Sequence, residues 1–339
     1  MSIRHPFAHP PADGSVLPVG SGVHWLRMPL PFALDHVNLW LIEDGPGWAL
    51  VDTGIPDRRS RALWEQVFAG PMGGRPLTRL IVTHFHPDHI GLASWLAERF
   101  GLALEATLGE WLFGRMLSLS GGADYDQASH SFYRAAGFDA ALLEMVAQRG
   151  NAYGQRIKAI PATLLRIRQD DALVIGGRRW EVITAEGHSP EMACLHCPAL
   201  ELLISGDQVL PSISPNVSLW PTEPEADPLA LFLASLKRFA VLPEQTLVLP
   251  SHGLPFTGLH HRLEQLARHH DERLAETLDA CATPITAADL LKVLFRRPLD
   301  DHQLFFAIGE SLAHLRTLVN QGKLSRIADA GGADYYERA

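Results

Sequence analysis

The chain has 339 residues, of which 47% are hydrophobic and 20% charged, and a formal net charge of −9. That length and apolar content predict a globular protein with a large core and room for a second, smaller unit, and exclude a disordered chain. An acidic protein gains little from the counterion release that drives nucleic-acid binding. Three cysteines in so long a chain argue against a disulfide scaffold, and no stretch reads as a secretory signal or reaches membrane-spanning length, so the cytoplasm is the expected compartment.

Residues 1 to 20 read as an extended lead-in rich in Pro, Gly and His. From Gly22 to Asp52, the runs Val23-His24-Trp25-Leu26, Asn38-Leu39-Trp40-Leu41-Ile42 and Trp48-Ala49-Leu50-Val51 are strand-like and separated by Pro and Gly turn signals. The apolar run Leu80-Ile81-Val82 reads as a buried strand and leads directly into Thr83-His84-Phe85-His86-Pro87-Asp88-His89. On an extended chain His84 and His86 point the same way, while Asp88 and His89 fall where a helix running on to Phe100 begins. One short loop thus offers four metal donors from two directions, enough to address two ions.

Residues 104 to 169 interrupt the strand-helix alternation with a mostly helical, aromatic-bearing stretch, which reads as an insertion placed to form a lid or pocket wall. Ala172 to Ile175 and Trp180 to Thr184, joined through Gly176-Gly177, predict a hairpin that feeds Gly187-His188-Ser189. Cys194-Leu195-His196-Cys197 spells CxxC, but residues three apart on a strand face opposite ways, so the pair reads as packing and not as a redox or metal couple. Leu202-Leu203-Ile204 ends in Ser205-Gly206-Asp207, and the proline-rich segment from Gln208 to Pro221 must start beside that aspartate; Ser214, Asn216 and Trp220 are its candidate pocket-lining residues. Pro228 to Phe239 predicts an amphipathic helix with Leu229, Leu233, Leu236 and Phe239 on one stripe. Thr246-Leu247-Val248-Leu249 then ends in Ser251-His252-Gly253. Beyond Gly258 three helical stretches and two short strands close the chain, with His260, His261, His269 and His270 read as surface or packing residues.

The ordered set HxHxDH, GHS, SGD and SHG resembles the metallo-β-lactamase-fold hydrolases, a family that includes glyoxalase II-like thioesterases, lactonases and RNA-processing nucleases. The resemblance covers roughly residues 20 to 258. It implies an α/β fold, a four-layer αββα sandwich over residues 1–258 with the helical insertion at about 104–169, followed by a small winged-helix-like domain over 259–339. Carried over residue by residue, it implies one metal held by His84, His86 and His188, a second by Asp88, His89 and His252, and Asp207 bridging the two. Imidazole and carboxylate donors suit zinc first, with iron or manganese as alternatives. Asp52 is either the family's hydrogen-bond acceptor behind the metal loop or a simple turn residue.

In two places the chain departs from the family. Glu191 stands where a glycine usually follows the GHS histidine, and Asp207 is a bridging aspartate that the lactamases of the family typically lack, which argues against β-lactam hydrolysis. The expected function is a dinuclear-metal hydrolase in which activated water attacks the carbonyl of a thioester, ester or lactone, with Asp88 orienting that water and taking its proton. The alternatives are a metal-dependent phosphodiesterase or ribonuclease and a non-hydrolytic di-iron redox protein. Residues 284–339 carry seven Lys or Arg and seven Asp or Glu, which is no footprint for DNA. The C-terminal unit is expected either to buttress the active-site mouth or to make a subunit contact, so the expected partners are a small-molecule substrate and, in the second case, another copy of the chain; neither a membrane nor a nucleic acid is expected.

Overall fold

The computed structural model describes residues 2–339, apart from the side chain of His302. The chain opens with an antiparallel meander, β1 (Val16–Gly20), β2 (Val23–Pro29), β3 (His36–Asp44) and β4 (Gly47–Val51), and continues in parallel with β5 (Leu77–Ile81), β6 (Leu104–Ala106) and β7 (Leu164–Arg166). These seven strands form one sheet in sequence order. Helix α1 (Arg58–Ala69) links β4 to β5, and α2 (Pro87–Ile90) and α3 (Ala93–Phe100) link β5 to β6. Between β6 and β7 stand α4 (Leu108–Leu119), α5 (Ala123–Ala135), α6 (Ala140–Arg149) and α7 (Ala152–Arg156).

The second sheet contains β8 (Ala172–Ile175), β9 (Arg178–Ala185), β10 (Met192–Cys197), β11 (Leu202–Gly206) and β12 (Leu247–Pro250), in the order β12-β11-β10-β9-β8. Helix α8 (Pro228–Phe239) links β11 to its parallel neighbour β12. The chain ends with α9 (Leu259–Ala280), α10 (Ala287–Leu294), α11 (Asp301–Asn320) and the antiparallel hairpin of β13 (Leu324–Ala328) and β14 (Asp334–Arg338).

Three apolar cores separate the layers, and strand alternation assigns residues to them. Trp25, Trp40, Val51, Trp180, Val182, Leu195, Ile204 and Leu249 fill the space between the two sheets. Leu39, Leu41, Leu50 and Leu80 face the other way, onto Leu63, Trp64, Val67 and Leu96 of α1 and α3. Ile183, Cys194, Leu203 and Val248 face α8 through Phe232, Leu236 and Phe239. Each fully buried side chain of this kind contributes about 1.5–3 kcal/mol of transfer free energy. Cys194 and Cys197 lie in different cores, unpaired and buried, as period-two geometry requires.

Helices α9, α10 and α11 do not build a core of their own. Leu263, Leu266, Leu290, Ile308 and Leu315 belong to the same cluster as α8, as do Tyr133 of α5 and Phe138 of the loop that follows it. Two sequence expectations need correcting. The stretch 104–169 begins and ends in β6 and β7, strands of the first sheet, so only its middle is helical; three-residue strands are too short to show alternation. The helix after the metal loop is also not continuous, because the chain turns at Gly91 and Leu92 between α2 and α3. No helix among the described residues is long and apolar enough to cross a membrane.

Candidate metal centre

Four chain segments leave their strands at one edge of the sandwich. After β5 come His84 and His86, with Asp88 and His89 in α2; after β9 comes His188; after β11, Asp207; after β12, His252. Gly187 and Gly206 precede two of these donors at φ +103° and +54°, where a Cβ would sit 2.5 Å from the Phe232 side chain and 2.8 Å from Met192 Sδ. A side chain there would push the following ligand out of place, which gives the GH and GD pairs of the sequence a steric cause.

The seven predicted donors come together in two groups. His84, His86, His188 and Asp207 form one, and Asp88, His89 and His252 the other, with the donor atoms of each group within 4.8 Å of one another. His84 Nε2 is 3.0 Å from His86 Nδ1. Asp207 lies between the groups: Oδ2 is 3.4 Å from both His188 Nε2 and His252 Nε2, and Oδ1 is 3.5 Å from His89 Nε2. Asp88 Oδ2 stands 3.5 Å from both His89 Nε2 and His252 Nε2.

Most of these rings are tied from behind, which fixes the nitrogen that faces inward. His89 Nδ1 is 2.9 Å from Asp52 Oδ2, His188 Nδ1 is 2.6 Å from the Asn216 carbonyl, and His252 Nδ1 is 2.7 Å from the His36 carbonyl. His84 Nδ1 is 3.0 Å from Thr83 Oγ1. Asp52 is fully buried at φ +64°, a left-handed conformation that aspartate tolerates. It also accepts from Thr83 N at 2.7 Å, so it holds the start of the metal loop as well as one of its rings.

On the inward side His89 Nε2, His188 Nε2 and Asp207 Oδ1 are buried without a hydrogen-bond partner. Burial, then the neighbouring imidazoles, hold His84 and His86 well below their usual pKa, in the neutral form that coordinates metal. Burial opposes charge on His89 too, but Asp88, Asp207 and Asp52 outweigh it and hold its pKa at about 10. His252 is likewise raised against its burial, by Asp207 and Asp88, and Asp207 is held well below the carboxylate range by His252 and His89. Carboxylates buried this way need positive charge beside them, and convergent orphan donors of imidazole and carboxylate chemistry fit divalent cations.

The structure also shows residues that sequence reasoning missed. Glu110 of α4 is buried and accepts from Phe85 N at 2.9 Å, Ser189 Oγ at 2.7 Å and Glu191 N at 2.6 Å, so one carboxylate ties the two loops that carry His84, His86 and His188. Burial raises its pKa to about 7. Glu191, at the unexpected position, accepts from Gly109 N at 2.8 Å and so caps the start of α4. Its only sequence trace is the substitution itself; Glu110 has none, because its contacts span 25 to 81 residues of chain. Of the proposed pocket residues, Asn216 lies against His188 through its carbonyl, whereas Trp220 packs edge-on to Phe306 with ring centroids 6.1 Å apart. Ser214 meets His269 at 3.4 Å in a cavity of about 310 Å³ whose lining contains none of the seven donors.

The chain is similar to several known proteins. The protein named "Probable metallo-hydrolase YqjP" of Bacillus subtilis (strain 168) is 25% identical over 86% of this chain and 91% of its own length. The human acyl-coenzyme A thioesterase MBLAC2 is 24% identical over 56% of this chain and 64% of its own. A beta-lactamase domain protein from Burkholderia ambifaria superposes with a TM-score of 0.93 at 46% identity over 99% of this chain and 98% of that one. A metallo-beta-lactamase family protein from Thermus thermophilus gives 0.79 at 30% identity over 94% and 99%. The family description of the metallo-beta-lactamase-like C-terminal domain matches residues 274–339, and that of the metallo-beta-lactamase superfamily matches residues 33–252, the segment that carries all seven donors; the chain belongs to the metallo-beta-lactamase superfamily.

Proposed function

We propose that this protein hydrolyses a carboxylic thioester, ester or lactone with two divalent ions, zinc first among them, held by His84, His86 and His188, by Asp88, His89 and His252, and by Asp207 between. The observation that carries this is Asp207, whose two oxygens address both donor groups, with His89 Nε2 and His188 Nε2 buried and unpartnered around it. A pair of divalent ions supplies acidified water and polarises a carbonyl oxygen. Asp88 has 20% of its side chain exposed against 9% for Asp207, so among the donors it is the carboxylate that solvent reaches. It is placed to orient the attacking water and take its proton. Asp52, Asn216 and His36 keep three rings in register, and no Ser or Cys nucleophile is required where activated water attacks. The thioesterase activity in the name of a distant relative favours a thioester over the other carbonyl substrates.

Purified protein is assayed against acyl thioesters, lactones, a sulfate ester and single-stranded RNA, with Asp207→Ala as control. Turnover of a thioester or lactone, lost in the variant by about a hundred- to a thousandfold as expected when a group acting on transition-state charge is removed, supports the reading. Metal-dependent cleavage of RNA or of the sulfate ester, with no acyl turnover, overturns it.

A further inference from the structure

The chain is acidic overall, yet from Met145 to Gln169 it carries five basic side chains, Arg149, Arg156, Lys158, Arg166 and Arg168, and no Asp or Glu. The first two stand out by their surroundings. Arg149, at the end of α6, is half-buried with its guanidinium carbon 4.0 Å from the centre of the Phe305 ring. Arg156, at the end of α7, lies 4.9 Å over Phe32. Among the described residues neither has a carboxylate within ion-pair distance, whereas Arg79, Arg99, Arg316 and Arg338 elsewhere all do. Burial lowers the Arg149 pKa, and the ionisable groups that bear on it are Tyr133, Tyr125 and Arg156, with no carboxylate among them. A half-buried cation without a counterion is costly unless a ligand supplies one.

The position is tied to the metal centre from two sides. Four residues after Arg149, a separation of at most about 14 Å, Tyr153 donates its hydroxyl to the Phe85 carbonyl at 2.8 Å. The Phe85 ring is 4.6 Å from His86. On the other side, Phe305 precedes Phe306, whose carbonyl accepts from Ser218 Oγ at 3.2 Å; that hydroxyl also donates to Asn216 Oδ1 at 2.6 Å, and the Asn216 carbonyl holds His188. His86 and His188 face each other at 4.6 Å between ring centroids. Arg149 is thus joined through near neighbours in the chain to the wall behind His86 and to the wall behind His188, and His86 and Asp88 are donors that remain partly exposed.

We propose that Arg149, assisted by Arg156, receives an oxyanion of the substrate, a carboxylate or phosphate remote from the bond that is cleaved. The substrate is thus an anionic acyl compound, with the inserted helices reading its charge and the strand-end donors acting on its carbonyl. This rests on the hydrolase reading above and narrows its substrate class. A guanidinium makes charge-assisted, fork-like hydrogen bonds to such groups, and the aromatic ring beneath Arg149 keeps it oriented without neutralising it.

The test compares one acyl group on three thiols in the metal-loaded enzyme: coenzyme A (phosphates), glutathione (carboxylates) and N-acetylcysteamine (neutral). Loss of one charged hydrogen bond predicts that Arg149→Ala lowers kcat/KM for at least one anionic thioester roughly ten- to a hundredfold, mainly through KM, with the neutral one unchanged and Arg149→Lys intermediate. Which thioester responds separates phosphate from carboxylate. Equal losses on all three, or a neutral thioester turned over as well as the anionic ones by wild type, overturn the proposal. Titration with the matching S-propyl thioethers reads binding without turnover. If nothing is hydrolysed the carbonyl reading falls, but anionic thioethers that bind wild type and not Arg149→Ala still uphold the oxyanion site, and thioethers that bind both alike refute it.

Discussion

His84, His86, His89, His188 and His252 gather around two carboxylates, whereas His270 and His314 are buried just as deeply where α9 meets α11, with no carboxylate charge acting on either. In the first group most rings give one nitrogen to a carbonyl, a hydroxyl or Asp52 and turn the other toward Asp207 or Asp88. In the second, His270 Nδ1 faces His314 Nε2 at 3.4 Å, and His314 Nδ1 is 2.8 Å from the Glu310 carbonyl. Burial drives their pKa values down to about 3 and about 4. Burial of histidine is therefore not what makes a metal site; acidic partners in front and fixed acceptors behind are.

The comparison breaks most visibly on metal removal. Chelation is expected to lower stability by about 2.7 kcal/mol where free metal had stood a hundredfold above its Kd, read as a fall in Tm. His270→Leu should keep the metal content of wild type by elemental analysis while Asp207→Ala loses metal; equal contents in all three would erase the distinction. Asp52→Asn comes next, with a metal affinity roughly 10- to 100-fold weaker in competition with a chromophoric chelator, because the amide cannot accept from Thr83 and His89 as the carboxylate does. Glu110→Gln should then cost about 1–3 kcal/mol in urea denaturation, since an amide group would face at least one of the donors that its carboxylate now accepts from.

A smaller effect appears in the pH dependence. His270 and His314 stay neutral in the folded chain below the pH at which they protonate when unfolded, so the unfolded state binds more protons and stability falls as pH drops from about 6.5 toward 4, by up to about 1.4 kcal/mol per unit for each ring. The urea midpoint of wild type should fall more steeply than that of His270→Leu as pH drops over that window, and parallel curves would refute the assignment. The smallest expected change is Glu191→Ala, which removes the cap on Gly109 N and should cost about 1 kcal/mol with metal affinity little altered.

The metal donors were legible because each follows a strand within a few residues. Period-two geometry and abrupt endings in His or Asp locate His84, His86, His188, Asp207 and His252 without any long-range information. The same local logic placed α8, the β8–β9 hairpin and the opposite faces of Cys194 and Cys197. It failed at β6 and β7, where three residues cannot show a period, and at the turn between α2 and α3.

By itself the sequence determined which side chains sit at strand ends and which faces of strands and helices are apolar, and the resemblance of its ordered motifs to a known family implied the layered fold and its seven donors. Only the tertiary structure decided that Glu110 ties the metal loop to the His188 loop, that Glu191 caps α4, and that Arg149 sits over Phe305 with no carboxylate within ion-pair distance among the described residues. The reason is range. Periodicity and turn chemistry act over a few residues, whereas these contacts join segments from a few dozen to more than 150 positions apart, and which polar groups meet there depends on how the layers pack.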